Sequence, residues 1–310
     1  MPLLRRLWLP TLVLLAAGCE LGEVTVADPE QVMVAEVWLR SGPEGSSGVG
    51  LIYRTPGPER GELEGGGIRI IDEDGNVRDF GDRLQASECT EGRFPSLVEA
   101  ACFILEPEEA EILVPGATYQ VEVDLPGGGV LEGVTTLPGA FEMVQPVRRG
   151  ISCNLPSETP LPLAWTQASG VWSYIPEAEI SGLPAALAPR GIVVPTDPVT
   201  LLGLSISQAD TTIAFPGEFG LFNRFSGDRD LLVALQDGLP AGAGVTGQVV
   251  VAAQDRNATN WLRGGPFNPS GTVRIPSLFG DGTGVAGGVV TRGFTFRVDD
   301  SAFPPCLPPA

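Results

Sequence analysis

Residues 32–39 read Val-Met-Val-Ala-Glu-Val-Trp-Leu, a short run rich in the β-branched and aromatic residues that favour strands. Similar runs follow at 49–54, 68–71 and 119–125, with turn residues between them. Short strands separated by turn signals in this way are typical of an antiparallel β-sandwich. We therefore predict a sandwich of immunoglobulin-like or transthyretin-like kind over residues 31–146.

The second half of the chain has the same character with different spacing. Residues 161–166 read Leu-Pro-Leu-Ala-Trp-Thr, and residues 172–175 read Trp-Ser-Tyr-Ile. This pair is similar to the B and C strands of a fibronectin type III-like module, with Trp165 in the core. No segment shows an amphipathic helix longer than two turns. The sequence thus predicts an all-β protein of two tandem antiparallel β-sandwich domains, the second over residues 147–310.

The boundary between the two predicted domains follows from the charge distribution. Residues 20–146 contain 25 acidic and 7 basic residues, whereas residues 147–310 contain 13 acidic and 10 basic residues. Proline and glycine residues cluster over 138–150, where the charge density changes. The excess of acidic residues over 20–146 is explained by a solvated surface on which like charges repel one another. Cation binding by these residues is the alternative and more specific explanation.

The composition excludes several classes of function. The chain has no His, and all 19 of its basic residues are Arg. It therefore has no His-activated nucleophile, no His metal ligand, no Schiff-base lysine and no P-loop lysine. The net charge of −19 excludes nucleic acid as a partner, because neutralising phosphates requires basic patches.

The N-terminus has the pattern of an export signal. Arg5 and Arg6 precede an apolar run over residues 7–17, which is shorter than the roughly 17–25 residues that a membrane-spanning helix requires. The run ends Leu-Ala-Ala-Gly-Cys at residues 15–19. This ending resembles the bacterial lipobox, with Ala16 at the position where Leu is commonest.

The lipobox resemblance implies that the chain is lipid-anchored. It makes residues 1–18 a lipoprotein signal peptide, Cys19 the lipidated residue and residues 19–30 the tether. Stable anchoring requires two or more acyl chains, and mature lipoprotein N-termini carry two or three. Glu20, rather than Asp, follows the cysteine, which favours the outer membrane over the inner membrane. An ordinary secretory signal that contains a cysteine is the alternative.

Four cysteines remain after Cys19, and an even number in an exported chain indicates disulfides. Cys89 and Cys102 flank a compact excursion in the first domain. Cys153 opens the second domain and Cys306 lies near its end. Of the three pairings that four cysteines allow, we therefore predict Cys89–Cys102 and Cys153–Cys306. A metal site is the alternative, but the spacing contains no CxxC pair and the chain offers no His.

A turn in the first domain is a weak calcium candidate. Asp72, Asp74 and Asn76 alternate at the spacing of the first ligands of an EF-hand. Gly75, however, lies at the fourth place of this run rather than the sixth, and no Glu closes a twelve-residue loop. A plain hairpin turn of type I′ is favoured, and we expect no bound metal and no cofactor.

Six aromatic residues of the second half are candidates for a ligand surface. If several of them are exposed together, they would form a sugar, peptide or partner site; the alternative is that most of them belong to the core. They are Phe215, Phe219, Phe222, Phe225, Trp261 and Phe267.

A family resemblance rests on the last third of the chain. Residues 255–261 read Asp-Arg-Asn-Ala-Thr-Asn-Trp, and residues 275–288 are rich in glycine. Together with Gly-Ala-Thr-Tyr at 116–119, this resembles domain-of-unknown-function family 4249, a family of uncharacterised bacterial lipoproteins. An aromatic residue is expected where this chain has Ala286. The resemblance implies an envelope role without known enzyme activity, as an accessory to an outer-membrane TonB-dependent receptor.

Two hypotheses on function remain. The first is a non-catalytic cell-envelope lipoprotein that binds a ligand or supports an outer-membrane transporter. The second is an extracytoplasmic carbohydrate-active enzyme, because two carboxylates about 5–10 Å apart suffice for glycoside hydrolysis. Nothing local selects one pair from the 38 acidic residues, so the sequence favours the first hypothesis and names no catalytic residue.

Overall fold

A computed structural model describes most of the chain beyond its N-terminal segment. The described residues are 31–55, 63, 65–83, 89, 100–146, 152–203, 207–222, 224–242, 244–263 and 274–306. The predicted signal peptide, the tether and Cys19 lie outside the described residues. None of the helices in the described part of the chain is long and apolar enough to cross a membrane.

The described part of the chain is predominantly β. Its first ten strands are β1 Met33–Gly42, β2 Gly45–Arg54, β3 Gly67–Ile71, β4 Val77–Asp79, β5 Gly81–Arg83, β6 Ala100–Leu105, β7 Thr118–Asp124, β8 Val130–Thr136, β9 Met143–Gln145 and β10 Ser152–Leu155. The others are β11 Leu161–Trp165, β12 Ser173–Ser181, β13 Val199–Leu202, β14 Thr212–Phe215, β15 Gly220–Leu221, β16 Thr246–Gln254, β17 Leu278–Gly280 and β18 Thr283–Val298.

The helices in the described part of the chain are short. They are α1 Pro107–Ala110, α2 Leu183–Leu187, α3 Asp228–Leu235 and α4 Arg256–Arg263, with a 3-10 helix at Ala188–Arg190. The longest of these described helices, α3 and α4, have eight residues each, just over two turns. α4 is strongly amphipathic, with Ala258, Thr259 and Trp261 buried.

Fifteen strands form one mixed sheet, and β14, β11 and β9 form a second, three-stranded sheet. The long strand β18 organises the large sheet, because it pairs with β1, β10, β16 and β17. Strands β1, β2, β6 and β5 follow on one side of β18, and β16, β12, β13 and β15 follow on the other. The β-rich character predicted from the sequence is confirmed.

The strand directions differ from the purely antiparallel arrangement that the sequence predicts. β18 runs parallel to β1, with Val34 opposite Thr283, and parallel to β10, with Cys153 opposite Phe296. Parallel neighbours need a long crossover rather than a tight turn. The whole intervening chain supplies that crossover between β1 and β18. Turn residues in a sequence identify only hairpin connections. No local sequence pattern therefore predicts the parallel pairing of β1 with β18.

The two halves of the chain share both sheets. β9 lies before the predicted boundary and pairs with β11 beyond it, with Met143 opposite Trp165. β18 belongs to the second half and pairs with β1 of the first over Thr283–Val290. The segments 31–146 and 147–310 are therefore joined by backbone hydrogen bonds in both directions.

Both halves contain a buried tyrosine whose hydroxyl secures a nearby loop. In the first half, Tyr119 donates to the Ile112 carbonyl and accepts from the Val114 amide, both at 2.7 Å. In the second half, Tyr174 accepts from the Ala168 amide at 2.7 Å. Trp165 is 3% exposed and its ring lies 5.3 Å from that of Tyr174, which confirms its predicted place in the core.

The two disulfides are those predicted from the cysteine positions. Cys89 pairs with Cys102 on β6, with their Cα atoms 5.7 Å apart. Cys153 on β10 pairs with Cys306, with their Cα atoms 4.9 Å apart. The second disulfide holds the end of the described chain against the outer edge of β10, where the Cys306 amide donates to the Asn154 carbonyl at 2.8 Å.

Candidate functional site

The large sheet divides along β18, and the candidate site lies at this division, here called the fork. β1 covers one edge of β18 from residue 283 to residue 290. On the other edge β17 pairs with residues 283–284 and β16 with residues 289–297. Among the described strands, none pairs with residues 285–288 on this second edge. The strands that lead away from β17 and β16 belong to different halves of the chain.

Side chains and loop backbone take the place of the missing strand at the fork. The Asn257 amide nitrogen donates to the carbonyls of Val134 on β8 and Ala286 on β18, at 2.8 and 2.9 Å. The Ser277 hydroxyl accepts from the Ala286 amide at 2.9 Å. The Asp255 amide donates to the Gly288 carbonyl at 3.0 Å. Asn257 thereby links β8 of the first half to β18 of the second.

Asp255 positions α4 at the fork. One carboxylate oxygen accepts from the Ala258 amide at 2.8 Å, the geometry of a helix N-cap. The other accepts from the Thr135 hydroxyl at 2.7 Å. Among the described residues, Asp255 is the only buried acidic one. Burial raises the pKa of its carboxyl group, against the opposing effect of these hydrogen bonds.

The opposite side of α4 is fixed by aromatic packing. Trp261 is 6% exposed and forms a small core with Val34 and Val285. The Arg274 guanidinium lies 4.6 Å from the centre of the Trp261 ring and forms an ion pair with Glu36 at 3.2 Å. Glu36 also accepts from the Tyr53 hydroxyl at 2.8 Å. Burial, and then the charge of Glu36, raise the pKa of Tyr53.

The exposed face of α4 borders a groove, here called the fork groove, of about 390 Å³. Gly133 and Ser277 line it close to the sheet, and Asn257 and Asn260 line it from the helix. Three apolar side chains border it while remaining more than half exposed. They are Val134 at 55%, Ile275 at 54% and Phe279 at 62%.

A cation lies at one end of the fork groove. Arg256 is the first residue of α4, is exposed, and has its guanidinium 5.1 Å from the centre of the Trp172 ring. Trp172 is itself 43% exposed. Within the described part of the chain, no carboxylate forms an ion pair with Arg256. The groove thus offers one unneutralised positive charge beside apolar surface.

Five of the six predicted surface aromatics are described, and these five do not form a shared exposed surface. Phe215 and Phe219 are buried and pack edge-to-face with ring centres 5.2 Å apart, and Trp261 is buried under α4. Phe225 is partly buried against the core, whereas Phe222 is 47% exposed. Phe267 lies outside the described residues. The core alternative therefore holds for Phe215, Phe219 and Trp261. Phe215 and Phe219 pack against each other in the main core, and the amphipathic α4 directs Trp261 inward.

A second depression lies beside α3. It has a volume of about 580 Å³ and is lined by Phe219, Arg229 and Val233 among others. Its other arginine, Arg224, lies 3.4 Å from Asp228 in an exposed ion pair. This depression lies within one half of the chain, whereas the fork groove lies between the two halves.

The acidic turn joins β3 to β4 as a hairpin, and the Asp72 carboxylate is hydrogen-bonded within the turn. One carboxylate oxygen of Asp72 accepts from the backbone amides of Asp74 and Asn76, and the other accepts from the Asn76 side chain. These hydrogen bonds, chiefly that from the Asn76 side chain, lower the pKa of Asp72. Of the loop residues only Gly75 has a positive φ, at 83°, so the turn is a type I turn with a glycine bulge and not type I′.

The residues of the fork groove were not predicted as a site. In the sequence, residues 255–261 carry a family resemblance, and Asp255 before an amphipathic run is also a recognisable helix start. The run spans barely more than two turns, which is why periodicity alone did not identify α4 as a helix. Val134 and Phe279 carry no local signal, because exposure of an apolar strand residue depends on what the fold places above it.

Comparison with known proteins adds little. No protein-family model matches the chain, and no curated protein matches it. A solved structure of a domain-of-unknown-function family 4785 protein from Legionella pneumophila subsp. pneumophila str. Philadelphia 1 matches with 8% identity and a TM-score of 0.23. The match covers 70% of this chain and 51% of that one, so it spans about half the length of that protein. The resemblance to family 4249 stays a prediction.

Proposed function

We propose that this protein is a non-catalytic cell-envelope lipoprotein that binds a ligand or partner through the fork groove. The observation that carries the proposal is the groove itself, which lies between the two halves of the chain. Ligand sites favour such junctions, where apolar walls and a few polar groups converge. Here a free guanidinium, an amide and three exposed apolar side chains line one cavity.

The envelope location is supported by the disulfides and by the N-terminal pattern. Disulfides persist in oxidising compartments and are rare in the cytosol, and Cys89–Cys102 and Cys153–Cys306 are both paired. Lipidation at Cys19 would place the body close to a membrane. The peptide from Cys19 to Met33, where β1 begins, reaches at most about 50 Å when fully extended. We assign the outer membrane because Glu20 follows the lipidated residue.

A non-catalytic role is favoured by the chemistry of the buried acid at the site. Both carboxylate oxygens of Asp255 accept hydrogen bonds that define the start of α4, which suits a structural role better than proton transfer to a substrate. The family 4249 resemblance further suggests that the bound partner is an outer-membrane TonB-dependent receptor.

We also propose a finer description of the architecture. The first half is an immunoglobulin- or transthyretin-like module and the second a fibronectin type III-like module, and the two share β18. Shared backbone pairing along β18 should make the two modules unfold as one cooperative unit.

Two measurements test the proposed function. Metabolic labelling with palmitate should mark the wild-type chain and not Cys19→Ser, and the labelled protein should fractionate with the outer membrane. Equal labelling of both forms would contradict the anchor. A photo-crosslinking residue at Asn260 in the groove should capture an envelope component that the same residue at the exposed Val193, remote from the groove, does not. Identical products from both positions would contradict the binding role.

A further inference from the structure

We infer that the fork groove binds a small organic anion, namely a carboxylate carried on an apolar or aromatic body. This inference rests on the proposed function of the groove as a binding site and specifies the class of ligand. It combines three independent properties of the groove: its charge, its apolar surface and its size.

The charge of the groove comes from Arg256. Acidic residues outnumber basic ones two to one in this chain, and several arginines are neutralised by them, such as Arg69 by Glu122 and Arg274 by Glu36. Arg256 instead stacks on Trp172. Stacking holds the planar guanidinium in place while leaving its N–H groups free for a carboxylate, which it binds in bidentate fashion.

The position of Arg256 in α4 is unfavourable for the helix alone. A cation at the first helical residue opposes the positive end of the helix dipole, where acidic residues are preferred. The first turn of α4 contains no acidic residue after the cap Asp255. Departures from such local rules are expected at functional sites. A bound anion would remove the conflict, because it would be attracted by both the guanidinium and the helix end.

The rest of the groove suits the body of such a ligand. Asn260 follows Arg256 by one helical turn, lies on the same face of α4 and lines the groove. Val134, Ile275 and Phe279 present apolar surface around the cavity. A volume of about 390 Å³ lies at the small end of the range for small-molecule sites.

The overall charge of the protein limits the charge of the ligand. A net charge of −19 repels anions as they approach, and the repulsion grows with the charge of the ligand. One guanidinium can offset one carboxylate but not a polyanion. Most of the binding free energy must then come from apolar burial, which favours a monocarboxylate with a hydrophobic body over inorganic phosphate or a nucleotide.

The test uses a matched pair of probes on the full mature protein. 1-Naphthylacetate carries the carboxylate, and 1-naphthylacetamide has the same ring with a neutral amide. Titration calorimetry should show that the acid binds at least tenfold more tightly than the amide, which corresponds to about 1.4 kcal/mol. Inorganic phosphate at the same concentration should not displace it.

Two substitutions locate the binding site. Arg256→Gln should weaken 1-naphthylacetate at least tenfold while leaving the thermal midpoint unchanged or raised. The matched control is Arg297→Gln, since Arg297 is exposed and its guanidinium also stacks on an aromatic ring, that of Phe303, at 4.9 Å. Phe279→Ser should weaken both probes equally, whereas Phe222→Ser, at another exposed phenylalanine, should weaken neither.

Equal affinity for acid and amide, an unchanged affinity in Arg256→Gln, or displacement by phosphate would each overturn the inference. Failure of both probes to bind would overturn it as well. The proposed function would survive that failure if the crosslinker at Asn260 still captured an envelope component, so the two claims are separable.

Discussion

The two parts of β18 differ in environment although they form one continuous strand. From residue 284 to residue 291 every side is covered, and eight consecutive residues are buried. From residue 292 onward burial alternates, with Phe294, Phe296 and Val298 inward and Arg297 exposed. The sequence of the second part, residues 292–298, has the pattern of a strand. The sequence of the first part, residues 284–291, resembles a glycine-rich connection. A strand that is buried on both faces lacks the alternation of apolar and polar residues, so the sequence pattern does not identify it as a strand.

Glycines explain why the first part of β18 is both central and hard to recognise. A Cβ at Gly287 would lie 2.7 Å from the Trp38 ring, and a Cβ at Gly288 would lie 3.1 Å from the Leu137 Cα. The two glycines face opposite sides of the sheet, so each allows a neighbouring layer to approach closely. Close packing on both faces of β18 requires glycine at these two positions, although glycine has a low strand propensity.

The largest expected effect comes from the two disulfides, of which only Cys153–Cys306 lies beside β18. Cys153–Cys306 closes a 153-residue separation beside the alternating part, and Cys89–Cys102 closes 13 residues near β6. In the chain-entropy model, Cys153→Ser with Cys306→Ser should lower the free energy of unfolding by about 5 kcal/mol, against about 3 kcal/mol for Cys89→Ser with Cys102→Ser. Urea unfolding of both double variants measures this. A larger loss for the Cys89→Ser and Cys102→Ser variant than for the Cys153→Ser and Cys306→Ser variant would contradict this prediction.

Gly287→Val should be strongly destabilising in the buried part. Its side chain would collide with the Trp38 ring and approach the Ala258 Cβ of α4, so we expect a loss of about 3 kcal/mol. Arg297→Val in the alternating part is the control and should change stability by less than about 0.5 kcal/mol. Denaturant midpoints measure both. Similar midpoints for the two variants would show that the buried part is not tightly packed.

Asp255→Ala tests how α4 secures the fork beside the buried part. The change removes the helix cap and leaves the Thr135 hydroxyl without its acceptor, so we expect a loss of about 2 kcal/mol. Asp255→Asn keeps a capping oxygen and should lose less than about 1 kcal/mol. Thermal unfolding of the two variants provides the comparison. Equal losses would mean that the charge, and not the cap, is what matters at this position.

The smallest effect concerns pH. Because the folded-state pKa of Asp255 is raised, the folded protein binds this proton more tightly than the unfolded chain does. Its contribution to stability is therefore greatest below the unfolded pKa and declines as pH rises through the folded-state value. Relative to Asp255→Asn, the wild-type protein should therefore lose stability as the pH rises above the ordinary pKa of an aspartate. Parallel pH profiles for the two proteins would contradict this assignment.

The features that the sequence predicts correctly are those marked by a local pattern of residues. Strand runs such as 32–39 and 119–125, the core position of Trp165 and both disulfides follow from pattern, spacing and compartment. The parallel pairing of β1 with β18 could not be predicted, because no turn or short connection encodes it. The fork groove could not be predicted either, since it depends on Asn257 and Asp255 replacing a strand between elements far apart in the chain.

The pairing of β1 with β18 also sets an order of events in biosynthesis. β1 is the first described strand to leave the ribosome and β18 is the last, yet Val34 must find Thr283. Until the final segment emerges, β1 has β2 as a neighbour on one edge and no native partner on the other. Such an edge invites pairing with other chains. Until β18 is available, this edge of β1 is therefore the part of the described sheet most open to pairing with another chain.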